Sequence, residues 1–254
     1  MRTVRDTLLV FRRQMTLSLR NPTWVIIGLV QPVLYFALFG PLLRTVIHSP
    51  GFPRAVTWQQ FFVPGLLVQL GLFGAAFVGF TIIAELRSGV VERMRVTPMS
   101  RLALLVGRVL RDVVTLVVQC LVLLAAAVLF GLRTPVGGVA LGFAFVLLLA
   151  TTMASLSYTA GLVLKSEDAL APLLNTVTVP LLLLSGILLP MTAGPTWLND
   201  LSMANPFRYV VDGMRAAFLG RYTSTAVWEG LLVSAIVAVL GVAIGTRTFR
   251  QENA

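Results

Sequence analysis

The sequence predicts an all-α membrane protein with six transmembrane helices. Two observations carry that reading. Of 254 residues 57% are hydrophobic, with a mean hydropathy of +0.89, and the few charges sit in the gaps between long apolar runs. A charge-free run of about 18 residues or more is enough to cross the hydrocarbon core of a bilayer. Such runs occupy 24–43, 61–84, 113–130, 136–164, 169–189 and 230–246, the last extended outward past Glu229 by 226–228. The fourth, at 29 residues, exceeds the roughly 20 a bilayer requires, so it is tilted or one end leaves the lipid.

The distribution of charge orients these spans. A net charge of +10 and a pI near 11.3 would suggest nucleic acid in a soluble protein, but no basic stripe of that kind is present. Counted along the six spans, fourteen of the 20 basic residues fall on the side of the two termini and six on the other. The positive-inside rule then places both termini in the cytoplasm. The first apolar run is too long for a signal-peptide core. The lone Cys120 lies inside the third span, where it serves as a small buried hydrophobe and allows no intrachain disulfide.

Residues 1–22 read as a cytoplasmic amphipathic helix ahead of a single six-span domain, 23–254. Val4, Leu8, Phe11, Met15 and Leu19 fall in one arc of about 80°, with Arg2, Arg5, Asp6, Arg12, Arg13 and Arg20 opposite. Such a helix suits the membrane interface; the alternative is a helix packed on a partner. Gln31-Pro32 is expected to kink span one. In span two, Gly71, Gly74, Ala75 and Gly79 permit close helix approach. Ser155, Ser157, Tyr158 and Thr159 in span four and Asn175, Thr176 and Thr178 in span five either line a route or hydrogen-bond between helices, the latter being favoured.

Two segments outside the spans stand out. The loop SGVVERMRVTPMSR begins at Ser88. Gly89 is free to turn the chain, and 90–96 has room for two helical turns with Val91 and Met94 on one face and Glu92 and Arg95 beside them. Pro98 excludes Thr97 from helical geometry, and Ser100 is placed to cap the next helix. A short transverse helix of this kind suits a groove on another protein; a plain surface loop is the alternative. After span five, Pro190, Gly194-Pro195 and Asn205-Pro206 divide the chain. Residues 207–219 are amphipathic, with Phe207, Val211, Met214 and Phe218 in a stripe and Arg208, Asp212 and Arg215 opposite, spaced for ion pairs. Thirteen residues reach about 20 Å, too short to cross the hydrocarbon core, so a half-inserted or interfacial helix is expected, or else a solvated one.

Catalytic chemistry is missing from the sequence. The only lysine, Lys165, precedes Ser166, but Thr159 and Leu164 stand where a P-loop needs glycines. One histidine and one cysteine are too few for a zinc site of the usual kinds. Glu85, Arg111, Asp112 and Glu229 lie at span ends rather than mid-membrane, which argues against a proton-coupled carrier, and no filter-like sequence suggests a channel.

The run GVVERMRVTPMSRLALLVGRVL resembles the signature of ABC-2 type transporter permeases, in which a glycine, a glutamate, Thr-Pro and a Ser-Arg pair precede a Gly-Arg/Lys helix. QPVLYFALFG in span one and NPFRYVVDGMRAAFLG after span five agree with the same family, most of all with its daunorubicin-resistance type of drug-export permease. One departure is Val90-Val91, where relatives commonly carry threonine first. The resemblance implies a half-transporter in the bacterial plasma membrane, with no cofactor of its own. Two copies of a separate ATPase subunit would bind ATP and Mg, and a second permease chain, identical or homologous, would complete the dimer, with spans one and five meeting across it. By the same resemblance 89–98 is the coupling helix, carrying Gly89, Val91, Glu92, Arg93, Met94, Arg95, Thr97 and Pro98. The N-terminal interfacial helix, with Arg5, Phe11, Arg12, Arg13 and Met15, also contacts the ATPase, and 190–219 is an external re-entrant region that includes Asn205, Pro206, Arg208, Asp212 and Arg215. The expected function is export of a hydrophobic or amphipathic compound, with membrane lipid and that substrate as partners and no nucleic acid. The alternatives are an ion-coupled carrier or channel acting alone, and an anchor that recruits an ATPase.

Overall fold

The computed structural model describes residues 2–20, 23–46, 56–89 and 101–251. Among them the regular elements are all helical: α1 (Arg2–Arg20), α2 (Thr23–Val46), α3 (Trp58–Ala76), α4 (Gly79–Arg87), α5 (Arg101–Leu129), α6 (Val136–Leu164), α7 (Glu167–Leu184), α8 (Thr196–Met203), α9 (Pro206–Phe218) and α10 (Thr225–Gln251), with a 3-10 turn at Met191–Ala193. Six stretches are long and apolar enough to cross a membrane: Ile26–Thr45, Trp58–Arg87, Val106–Leu129, Val136–Leu164, Glu167–Leu184 and Thr225–Thr248. The protein is a multi-pass, all-α membrane protein. Its fourth span is one 29-residue helix with the bounds of the charge-free run.

α3 forms the centre. It starts in a capping box, in which the Thr57 hydroxyl accepts from the Gln60 backbone and the Gln60 side chain accepts from the Thr57 backbone. From there Phe62, Val63, Leu66, Val68, Leu70 and Leu72 are all buried, as expected of a helix apolar on every side. The outer helices instead expose large apolar side chains, such as Ile26, Leu34 and Leu38 on α2, Leu173, Val177 and Leu183 on α7, and Leu232, Val239 and Leu240 on α10. In water such a surface would be prohibitive; against lipid tails it is the ordinary exterior of a membrane bundle. α2 continues through Pro32 and Pro41 as one helix.

The second span departs from the unbroken helix expected over 61–84. α3 stops at Ala76, Phe77 and Val78 make a turn, and α4 restarts at Gly79. A break leaves backbone groups unpaired, and the membrane offers no water to satisfy them. The Ser157 hydroxyl on α6 supplies the replacement: it accepts from the Gly79 N–H at 2.8 Å and donates to the Ala76 carbonyl. Glycine makes the approach possible. A Cβ on Gly79 would lie 2.7 Å from Ser157 Oγ, and one on Gly161 would lie 2.7 Å from the Gly79 carbonyl oxygen.

α1 has three faces rather than two. Val10 and Gln14 are buried, and a Cβ on Gly107 of α5 would come within 2.7 Å of the Val10 Cβ. The helix is therefore docked on α5 along Thr7, Val10 and Gln14, a line missing from the two-sided pattern. Beside that line the apolar stripe remains open, with Val4, Leu8 and Leu19 exposed and Phe11 and Met15 half-buried, while Arg5, Arg12 and Arg13 are exposed on the polar side.

Candidate functional site

At the end of the bundle that carries the termini, four helices meet through charged and polar side chains. Glu85 on α4 is central: one carboxylate oxygen accepts from Gln14 Nε2 of α1 at 2.7 Å, and the other pairs with Arg108 Nη2 of α5. One turn further along α5, Arg111 Nε lies 2.7 Å from Asp112 Oδ1. The second oxygen of Asp112 accepts from the Tyr158 hydroxyl of α6 at 2.5 Å, and Arg111 Nη2 reaches that hydroxyl at 3.3 Å. Arg108, Asp112 and Tyr158 are buried. Charges withdrawn from solvent are tolerable only when paired in this way, because the desolvation cost of each ion is several kcal/mol, about as much as the pairing returns. Arg108 Nε and Nη1 have no hydrogen-bond partner among the described residues, so this pair is held less completely than its burial demands.

The position of the network gives it interest. α4 ends at Arg87, and α5 begins at Arg101. The Glu85–Arg108 pair therefore ties together the two helices that carry the 89–98 segment. Gly89 adopts φ 67°, a left-handed turn that glycine enters without penalty. Val91, Glu92, Arg93, Met94, Arg95, Thr97 and Pro98 lie outside the described residues. Sequence reasoning placed Glu85, Arg111 and Asp112 at span ends and favoured Tyr158 as a bond between helices, but left Gln14 and Arg108 unremarked. The spacing Arg108, Arg111, Asp112 on one helical face was a usable signal, but nothing local revealed that α1, α4 and α6 converge on it.

The opposite end is organised by α9. Asn205 caps it, with Oδ1 accepting from the Phe207 N–H at 3.0 Å and Nδ2 donating to the Leu181 carbonyl at 2.7 Å, and Pro206 occupies the first turn. Phe207, Val211, Met214 and Phe218 are all buried. The charged side forms the two helical ion pairs its spacing suggested, with Arg208 and Arg215 at 3.8 and 3.9 Å from Asp212. Arg208 also donates to the Asn199 carbonyl at 2.8 Å and to Ser202 Oγ of α8 at 2.5 Å. Arg215 donates to the Gly186 and Ile187 carbonyls beyond α7 at 2.8 and 3.2 Å and to the Phe61 carbonyl of α3 at 3.2 Å, with its guanidinium 3.7 Å over the Phe61 ring. Burial lowers the Arg215 pKa to about 10, against the opposing pull of Asp212, and burial raises that of Asp212 against the two arginines. Arg215 stays a cation at neutral pH, which suits the carboxyl end of α7.

The intramembrane polar residues divide into two sets. Ser157 and Tyr158 bond to neighbouring helices, Thr159 bonds back to the Ser155 carbonyl, and Ser155 Oγ has no partner among the described residues. Asn175 and Thr176 are exposed on α7, as is Gln31 on α2, and these are the two spans least covered by the rest of the chain.

With this geometry in place, comparison with known proteins supplies the family. Residues 5–219 match the ABC-2 type transporter family. The chain belongs to that family. It is similar to the inner membrane transport permease YadH of Escherichia coli strain K12, with 31% identity over 221 residues, 83% of each chain. It is also similar to the daunorubicin resistance ABC transporter permease protein DrrB1 of Streptomyces coeruleorubidus, with 24% identity over 236 residues, 92% of this chain and 82% of the relative. The matched family region contains the charged network, the broken second span and all of α9. The arrangement combines a broken span, a charged tie between α4 and α5, and polar membrane faces.

Proposed function

We propose that this ABC-2 permease is the transmembrane subunit of an ATP-driven exporter that moves a hydrophobic or amphipathic compound out of the cytoplasm or the inner leaflet. The reading rests above all on the Glu85–Arg108 pair, which ties the two ends of the 89–98 segment to each other and, through Gln14, to α1, while Asp112 one turn further along α5 bonds to Tyr158 of α6. The segment is the coupling helix in this reading. Two ATPase subunits bind ATP and Mg and press on it from the cytoplasm, with both termini on that side of a bacterial plasma membrane. Displacement of the segment moves α4 against α5, and the break at Phe77–Val78 lets α4 move while α3 keeps its place in the core. The drive is thereby converted into an alternation of packed states.

Gln31, Asn175 and Thr176 support the second half of the reading. An amide facing lipid tails is costly, so the exposed polar groups of α2 and α7 are covered in the assembled transporter by a second permease chain and by the route between the two. Drug cargo is the version favoured by the name of the DrrB1 relative.

Met94→Asp places a charge on the proposed contact face without touching the lipid-embedded part. In inverted vesicles holding the permease and its ATPase, this variant loses ATP-dependent uptake and co-purifies less ATPase, while its membrane insertion is unchanged. Normal uptake by the variant would show that this face is not the contact. Insertion and ATPase binding without any uptake by the native chain would favour an anchor, and uptake without an ATPase would favour an independent carrier.

A further inference from the structure

The end of the bundle opposite the termini carries a cavity of about 630 Å³ between the last turns of α5 and the first of α6. Its walls are apolar, including Leu124, Val128, Leu132, Val136 and Val139, and Arg133 stands at its rim. The rim is shared with the end of α9. The Thr134 hydroxyl donates to the Phe218 carbonyl at 2.8 Å, and a Cβ on Gly220 would lie 3.4 Å from the Pro135 Cγ. That contact brings Arg221, the residue after Gly220, to the same edge as Arg133. Both arginines are exposed, and neither forms an ion pair among the described residues. There is no carboxylate between Asp112 and Glu167, nor between Asp212 and Glu229, to answer them.

We propose that this groove is a binding site for an anionic phospholipid of the adjoining leaflet, its acyl chain along Val128, Val136 and Val139 and its phosphate between Arg133 and Arg221. The volume suits an acyl chain rather than a whole protein segment. Two cations at the mouth of an apolar groove, without an ion pair among the described residues, select an anion that carries hydrocarbon. The site does not depend on the transport reading.

The test uses the full-length chain in phosphatidylcholine vesicles doped with a phosphatidylglycerol that carries a diazirine on its acyl chain. After illumination, the labelled peptides are mapped. Label on residues 124–139 is expected, and replacing both arginines (R133Q/R221Q) lowers it about tenfold, while label on α1, beside its own arginines, is unchanged and reports an intact fold. R133K/R221K retains most of the label, because lysine keeps the charge. Val128→Trp fills the groove and removes the label with both arginines in place. Equal labelling by a phosphatidylcholine bearing the same diazirine, or full labelling of 124–139 in R133Q/R221Q, overturns the proposal.

Discussion

Arg215 shows how much one side chain can add to its helical-wheel reading. Its spacing makes it the far half of an i,i+3 pair, which the structure keeps at 3.9 Å; it also binds three backbone carbonyls and an aromatic face on α3 and the segment after α7. Replacing it with methionine keeps the bulk and orphans those carbonyls. Arg215→Met therefore destabilises the protein by roughly 3 kcal/mol, read as a lower thermal midpoint in detergent. Asp212 behaves in the opposite sense. Burial raises its pKa above the ordinary 3.8, so the folded state holds a proton that the unfolded state has already released. Stability contributed at this position is present at low pH and is lost as pH rises through the raised value. The slope is small, because the carboxylate is half-exposed and screened. Asp212→Asn abolishes it, and a thermal midpoint followed from about pH 4 to about pH 7 separates the two.

At the scale of elements, the break between α3 and α4 lies beyond what hydropathy can report. Residues 61–84 carry no charge, and a running average treats a broken helix and a whole one alike. What marks the break is the conjunction of Gly79 with Ser157 and Gly161 some eighty residues away, which only the fold brings together. The same holds for α1, whose stripe was legible but whose docking line through Val10 and Gln14 depends on Gly107. By contrast, the 29-residue fourth span and the buried stripe of α9 needed only local pattern, since the first is one helix apolar on every side and the second one helix with one apolar face. Gly79→Ala forces the new methyl against Ser157 and opens the crossing, at a cost of about 1–3 kcal/mol. Ser157→Ala leaves the crossing intact but strips the break of its hydrogen bonds, at a similar cost. Hydrogen exchange at the α3–α4 junction rises in both variants, and no change in either would mean that the junction is held by other contacts.

Across the whole molecule, the two ends are built differently. One end gathers Gln14, Glu85, Arg108, Asp112 and Tyr158 into a network joining four helices; the other fastens α9 to α3, α7 and α8 through arginines and backbone carbonyls. Exchanging the charges in Glu85→Arg/Arg108→Glu preserves a pair but reverses its relation to Gln14 and Asp112. In the reading proposed above, Glu85→Gln uncouples ATP hydrolysis from uptake, and the exchanged double variant recovers part of the coupling in the same vesicles. Equal loss in the single and double variants would show that the pair itself is not the tie.

The Ser157 hydroxyl sets the scale of what motion at the break can cost. Only one donor and one acceptor, the Gly79 N–H and the Ala76 carbonyl, depend on it, so swinging α4 away from α6 strands a single pair of backbone groups rather than a turn's worth. A span in one piece would have to rupture several such bonds in hydrocarbon to bend as far. The interruption has already been accommodated in the fold, and in the reading proposed above the last third of this span acts as a rocker on a pin one hydroxyl wide.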